Sequence, residues 1–163
     1  MRFLRKWTRR AQIQAARLGR ERIFIVAKGK VFIDTNILVY SLDEQYPDKQ
    51  LIARNVLRTL DQEHKAVIST QVLQEFYCAA TKKLNVDAPR AQIFLKAFER
   101  FEVAVIEPQA IHTAIDISGL YQLSFWDALI VAAAAQTNCT ELYTEDLNAG
   151  QVVQGIIIVN PFE

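Results

Sequence analysis

An α/β fold, a parallel sheet between two layers of helices, is what this chain predicts, and three observations predict it. Short apolar runs of strand length alternate with longer segments whose apolar residues recur at helical spacing. The first run, Val31-Phe32-Ile33, is continuously apolar, as in a strand buried on both faces. The 163 residues, 51% of them hydrophobic, suffice for one domain with its own core. Strands alternating with helices imply right-handed crossovers, and so a three-layer α/β/α domain with about five short strands.

The elements follow in order. After the first strand, residues 37–40 turn into a short helix, and residues 43–49, polar and carrying Pro47, read as a loop. Residues 50–63 place Leu51, Ile52, Val56, Leu57 and Leu60 at helical spacing. Residues 66–69 form a second strand, and Thr70 caps the helix that follows to about residue 83. Pro89 suits the first turn of a helix reaching about residue 101. Residues 103–106 make a third strand, stopped by Pro108, and residues 109–121 a helix. Ser124 opens an apolar helix to about residue 136; residues 141–144 are a fourth strand and 155–159 a fifth.

Charge divides the chain. Residues 1–30 hold ten Lys/Arg against one acid, whereas residues 31–163 hold nine against seventeen. A basic extension over 1–30 and a domain over 31–163 are therefore expected. The extension reads as a disordered arm or as sequence upstream of the true start; contact with RNA or anionic lipid and a transit peptide are the other readings. Cys78 and Cys139 form no C-x-x-C pair and read as free thiols of a reducing cytosol, which places the chain in the cytoplasm. With only His64 and His112, a His-rich zinc site is excluded, and no apolar run approaches a membrane span.

Four acids stand out. Asp34 closes the first strand, at the rim where open α/β sheets bind ligands. Glu75 sits beside the apolar stripe of its helix, where desolvation is costly without a cation. Asp127 begins an apolar helix, and Asp146 follows the fourth strand beside Glu145, which competes for its role. Each has a structural reading as well: Asp34 as turn or cap, Glu75 at the edge of its stripe, Asp127 in a capping box with Ser124, Asp146 as a solvated loop acid. Together at one sheet edge they would hold a hard divalent cation, Mg²⁺ or Mn²⁺. Asn36 and Thr144 are candidates for orienting them.

Val31-Phe32-Ile33-Asp34-Thr35-Asn36, Glu75 within residues 69–76, Phe125-Trp126-Asp127-Ala128-Leu129-Ile130 and Thr144-Glu145-Asp146-Leu147 occur in an order that resembles the PIN-domain ribonucleases. Among these the VapC-type toxins of toxin–antitoxin pairs are the nearest likeness, over residues 31–160. The basic leader departs from that pattern. The resemblance implies a PIN-like fold and an endoribonuclease dependent on Mg²⁺ or Mn²⁺. It makes Asp34, Glu75 and Asp127 ligands and Asp146 a fourth, with RNA as substrate, a cognate antitoxin as partner, and a homodimer. Lys82, Lys83, Arg90 and Arg100 are candidate phosphate contacts. A non-catalytic PIN-like module that binds RNA or protein is the alternative. A haloacid-dehalogenase-like phosphatase is disfavoured, because Asp34-Thr35-Asn36 lacks the D-x-D pair.

Overall fold

The computed structural model describes residues 29–163. The reading of a basic extension falls, apart from Gly29 and Lys30, outside the described residues. Six strands form one sheet: β1 (Lys30–Ile33), β2 (Ala66–Ser69), β3 (Glu102–Ala104), β4 (Cys139–Tyr143), β5 (Val152–Val153) and β6 (Ile156–Val159). The helices are α1 (Thr35–Tyr40), α2 (Pro47–Gln62), α3 (Thr70–Lys82), α4 (Ala88–Phe98), α5 (Pro108–Tyr121) and α6 (Phe125–Gln136).

The sheet order is β3-β2-β1-β4-β6-β5, and every pairing is parallel except β5 with β6. The chain moves outward from β1 to β3, then returns to the other side of β1 with β4. The order therefore reverses between β1 and β4, which opens a crevice at their carboxyl ends. β1 lies at the centre, and Val31, Phe32 and Ile33 have no solvent exposure. A strand covered by helices on both faces can be continuously apolar, as this one is from Val31 to Ile33.

Several boundaries differ from expectation, each for a local reason. Pro47 begins α2 instead of sitting in a loop, since the first turn has no use for the missing N–H. Pro108 likewise opens α5, leaving β3 to end at Ala104. Ser69, not Thr70, caps α3: its hydroxyl accepts from the Val72 N–H at 3.3 Å, while the Thr70 hydroxyl accepts from the Ile106 N–H at 3.1 Å. The antiparallel β5 was not expected. It forms a hairpin with β6 through Gln154-Gly155, both at positive φ (52° and 79°), as a two-residue type I′ turn requires.

The helix α6 is the least polar of the helices: Ala128 through Ala134 are all buried, so its apolar circumference is a core property. The same burial fixes its first turn, and with it Asp127, against the sheet. Phe76 of α3 meets Phe98 of α4 edge to face at 5.0 Å and anchors α3 over the sheet. No single helix among the described residues is long and apolar enough to cross a membrane. Cys78 is exposed and Cys139 buried, both free; burial pushes the Cys139 thiol up to about 11.

Candidate active site

One cavity of about 730 Å³ opens at the carboxyl ends of β1 and β4, and Asp34, Glu75, Asp127 and Asp146 all line it. Glu145 lines it too, as do Asn36, Lys82 and Lys83. The four acids picked out by sequence thus reach one crevice from four separate elements.

Asp34 is the deepest, only 5% exposed. It caps α1, accepting from the Thr35 N–H at 2.6 Å through Oδ1. Its Oδ2 accepts from the Thr144 hydroxyl at 2.7 Å and from the Asn36 amide at 3.1 Å. Capping and site membership are therefore properties of one side chain. Burial is the largest influence on its acidity, outweighing these hydrogen bonds; with the charges of Asp146 and Glu75 it raises the pKa to about 7.

Asn36 is the hub. Its Nδ2 lies 3.1 Å from Asp34 Oδ2, 3.1 Å from Asp146 Oδ2 and 3.2 Å from Thr144 Oγ1. Thr144 is 1% exposed, donates to Asp34 and accepts from the Asp146 N–H at 3.1 Å. Asp146 is itself exposed, tied to the buried acid through these two neutral side chains.

Glu75, half-buried on α3, is clamped by two donors that sequence reading missed. The Thr35 hydroxyl donates to its Oε2 at 2.8 Å, and the Gln71 amide to its Oε1 at 2.8 Å. Gln71 stands one helical turn before Glu75, a spacing that could have flagged it. Thr35 comes from a different element, and no local pattern announces it. Asp127 is half-buried, and Ser124 caps α6 by accepting from its N–H at 3.2 Å. The Ser124 hydroxyl also donates to Asp127 Oδ2 at 2.6 Å, so the capping box turns its carboxylate contact on the serine side chain.

Glu145 has a different fate from its neighbour. Lys49 makes both a salt bridge and a hydrogen bond to its Oε2, and also donates to the Tyr40 hydroxyl at 3.1 Å. The Lys49 ammonium lies 4.3 Å from the Tyr40 ring centroid and 5.1 Å from that of Phe162. By contrast, no lysine or arginine among the described residues forms a salt bridge with Asp34, Glu75, Asp127 or Asp146. Arg100 pairs with Asp61 at 3.2 Å, and neither it nor Arg90 lines the cavity.

The donor set is hard, all oxygen, and suits Mg²⁺ or Mn²⁺ better than zinc. A carboxylate buried without a cationic partner fits a cation site, because the anion is otherwise costly. Among the described residues, however, no three acids converge tightly enough to enclose a metal by themselves. Mg²⁺ normally retains several waters, so the wider spacing suits a hydrated ion.

A doubly wound α/β fold with an acidic crevice at its switch point places the chain among α/β proteins whose ligand site lies at the carboxyl edge of the sheet. The PIN domain profile matches residues 31–153, and the chain belongs to that family. Solved structures share the fold. A toxin–antitoxin complex from Klebsiella pneumoniae aligns with TM-score 0.62 and 23% identity over 82% of this chain and 99% of that one. VapBC2 from Rickettsia felis, bound to a DNA fragment from its promoter, gives 0.58 and 23% over 78% and 96%. The sarcin–ricin loop cleaving toxin VapC20 of Mycobacterium tuberculosis gives 0.52 and 16% over 72% and 90%. No match was found among curated proteins.

Proposed function

We propose that this chain is an endoribonuclease dependent on Mg²⁺ or Mn²⁺, acting in the cytoplasm as the toxin of a toxin–antitoxin pair. The observation that carries the reading is Asp34, a buried carboxyl raised to about 7, with Asp146 and Glu75 in electrostatic reach and no salt-bridge partner among the described residues. Membership of the PIN family supports a nuclease. The VapBC structures among those sharing its fold support an antitoxin partner. Self-association as a homodimer follows from the same family reading.

Asp34, Glu75 and Asp127 are assigned as ligands, direct or through water, and Asp146 as a fourth. When bound, the cation supplies positive charge for a phosphate and acidifies the attacking water. The chain's own residues do the rest. Asn36 and Thr144 hold Asp34 and Asp146 in fixed orientations. Thr35 and Gln71 do the same for Glu75. Lys82 and Lys83, on the cavity wall at the end of α3, are assigned to the RNA backbone, offsetting an otherwise acidic surface. No side chain is required as a covalent nucleophile.

The wide spacing of the acids favours one rival, a non-catalytic PIN-like module that binds RNA or protein. The test is cleavage of a pool of structured RNAs by the full chain with Mg²⁺, Mn²⁺ or EDTA. Metal-dependent cleavage yielding 5′-phosphate and 3′-hydroxyl ends supports the nuclease. Intact RNA under every condition, from folded protein, supports the module.

A further inference from the structure

Two large aromatic side chains at the acidic cavity have no evident work in the core. Trp126 immediately precedes Asp127 and is 61% exposed; Tyr46 immediately precedes α2 and is 51% exposed. Both line the cavity that holds Asp34 and Glu75. Each ring is held by a second aromatic. Phe125 meets Trp126 at 5.3 Å and 69°, and Tyr40 meets Tyr46 at 5.7 Å and 86°. The Gln71 amide that clamps Glu75 also reaches the Trp126 carbonyl at 3.4 Å, so the indole's backbone is tied to the acid's position. An edge-to-face contact leaves at least one face of each ring free of its partner, which is what a stacking platform needs.

We propose that Trp126 and Tyr46 are the specificity-determining residues of this site, stacking the unpaired bases that flank the phosphate seated among the acids. The inference rests on the reading of the site as an RNA nuclease and names the form in which RNA enters it. Bases that are splayed out of a helix stack on aromatic side chains, and every base has a π-face to offer. The lining acids outnumber its lysines, so RNA is the occupant with a divalent cation seated among the acids, and Lys82 and Lys83 on the same wall then match its phosphate chain. The rings then select for unpaired nucleotides, since a base locked in a duplex cannot lie on them.

The sequence contains two tryptophans, Trp7 and Trp126, so Trp7→Phe in the full chain leaves Trp126 as the sole indole. The experiment titrates this variant, with Mg²⁺ present, with short single-stranded oligoadenylate, an abasic oligomer of the same length, and duplex RNA. Stacking predicts that oligoadenylate quenches the indole emission and that the other two leave it nearly unchanged. By anisotropy of an end-labelled oligomer, which needs no indole, Trp126→Ala is expected to weaken oligoadenylate binding about tenfold, and Tyr46→Ala less, while Trp126→Phe retains most of the affinity. Abasic binding is expected to be unaffected by all three, which separates lost stacking from misfolding.

Equal quenching by abasic and base-bearing oligomers overturns the proposal. So does unchanged oligoadenylate affinity in Trp126→Ala; if that variant's RNA is still cleaved in a metal-dependent way, the nuclease reading survives alone. A blue-shifted emission with a co-purified protein, and no response to oligoadenylate, assigns the rings to protein docking instead. Failure of the wild type to bind or cleave any RNA overturns both readings.

Discussion

Glu145 and Asp146 are neighbours in sequence, line the same cavity, and live in opposite electrostatic settings. Glu145 belongs to a neutralised side, where the Lys49 ammonium pairs with it and rests between Tyr40 and Phe162. Asp146 belongs to an unneutralised side, where it reaches Asp34 through the uncharged donors Asn36 and Thr144. On the first side the protein carries its own counter-ion. On the second it supplies only hydrogen-bond donors, which orient carboxylates without cancelling their charge, and Asp34 answers by holding its proton up to about pH 7. Neutral scaffolding around an uncompensated buried acid is what a site for an external cation requires.

That contrast breaks most sharply at Asp34. Asp34→Asn keeps the shape and most hydrogen bonds but removes the charge. Metal-dependent RNA cleavage is expected to fall by more than about a hundredfold, beyond the range usual for groups that merely orient a ligand. Circular dichroism should show the fold intact. Near-wild-type cleavage by this variant would make Asp34 a cap and nothing more.

Removing the orienting donors is the next largest effect. Asn36→Ala and Thr144→Val each remove one of the two bridges between Asp34 and Asp146. Mn²⁺ affinity, read by calorimetry, is expected to drop about 10–100-fold in each. An unchanged affinity would show that the bridge serves packing alone.

The pH dependence of stability sharpens the comparison without RNA. Between the ordinary value of 3.8 and about 7, folded Asp34 keeps a proton that the unfolded chain has lost. The folded state binds more protons there, so its stability falls as pH rises through that window, by on the order of 4 kcal/mol in total. In EDTA the Tm should decline from about pH 4 to pH 7 more steeply in the wild type than in Asp34→Asn. Parallel curves would contradict the desolvation of Asp34.

The smallest effect is on the neutralised side. Glu145→Gln breaks a partly exposed ion pair, a change of about 0.2–1 kcal/mol in stability, and should leave cleavage close to wild type. Asp146→Asn beside it is expected to lower cleavage clearly. The reverse ranking would exchange the roles assigned to these two acids.

The α/β class was legible because β1 is apolar from Val31 to Ile33 and α6 nearly so from Ala128 onward, and both patterns follow from burial on all sides. Pro47 and Pro108 misled because proline serves a loop or a strand's end as readily as the first turn of a helix, and Thr70 misled because Ser69 beside it is an equally good cap. The hairpin strand β5 is two residues long and rests on positive φ at Gln154, which the sequence does not advertise. The crevice acids were suggested by strand ends and helix starts, which topology then brought to one edge. What joins them was less visible. Thr35 and Glu75 are forty positions apart, and the Lys49–Glu145 pair spans ninety-six, so only the folded chain reveals which acid is neutralised.

Calorimetric titration of the full chain with Mn²⁺, beside Asp34→Asn and Glu145→Gln, tests the central contrast most directly. The account predicts a saturable site in the wild type, its loss in Asp34→Asn, and its retention in Glu145→Gln. No saturable binding to the folded wild type, or equal binding by Asp34→Asn, would contradict it.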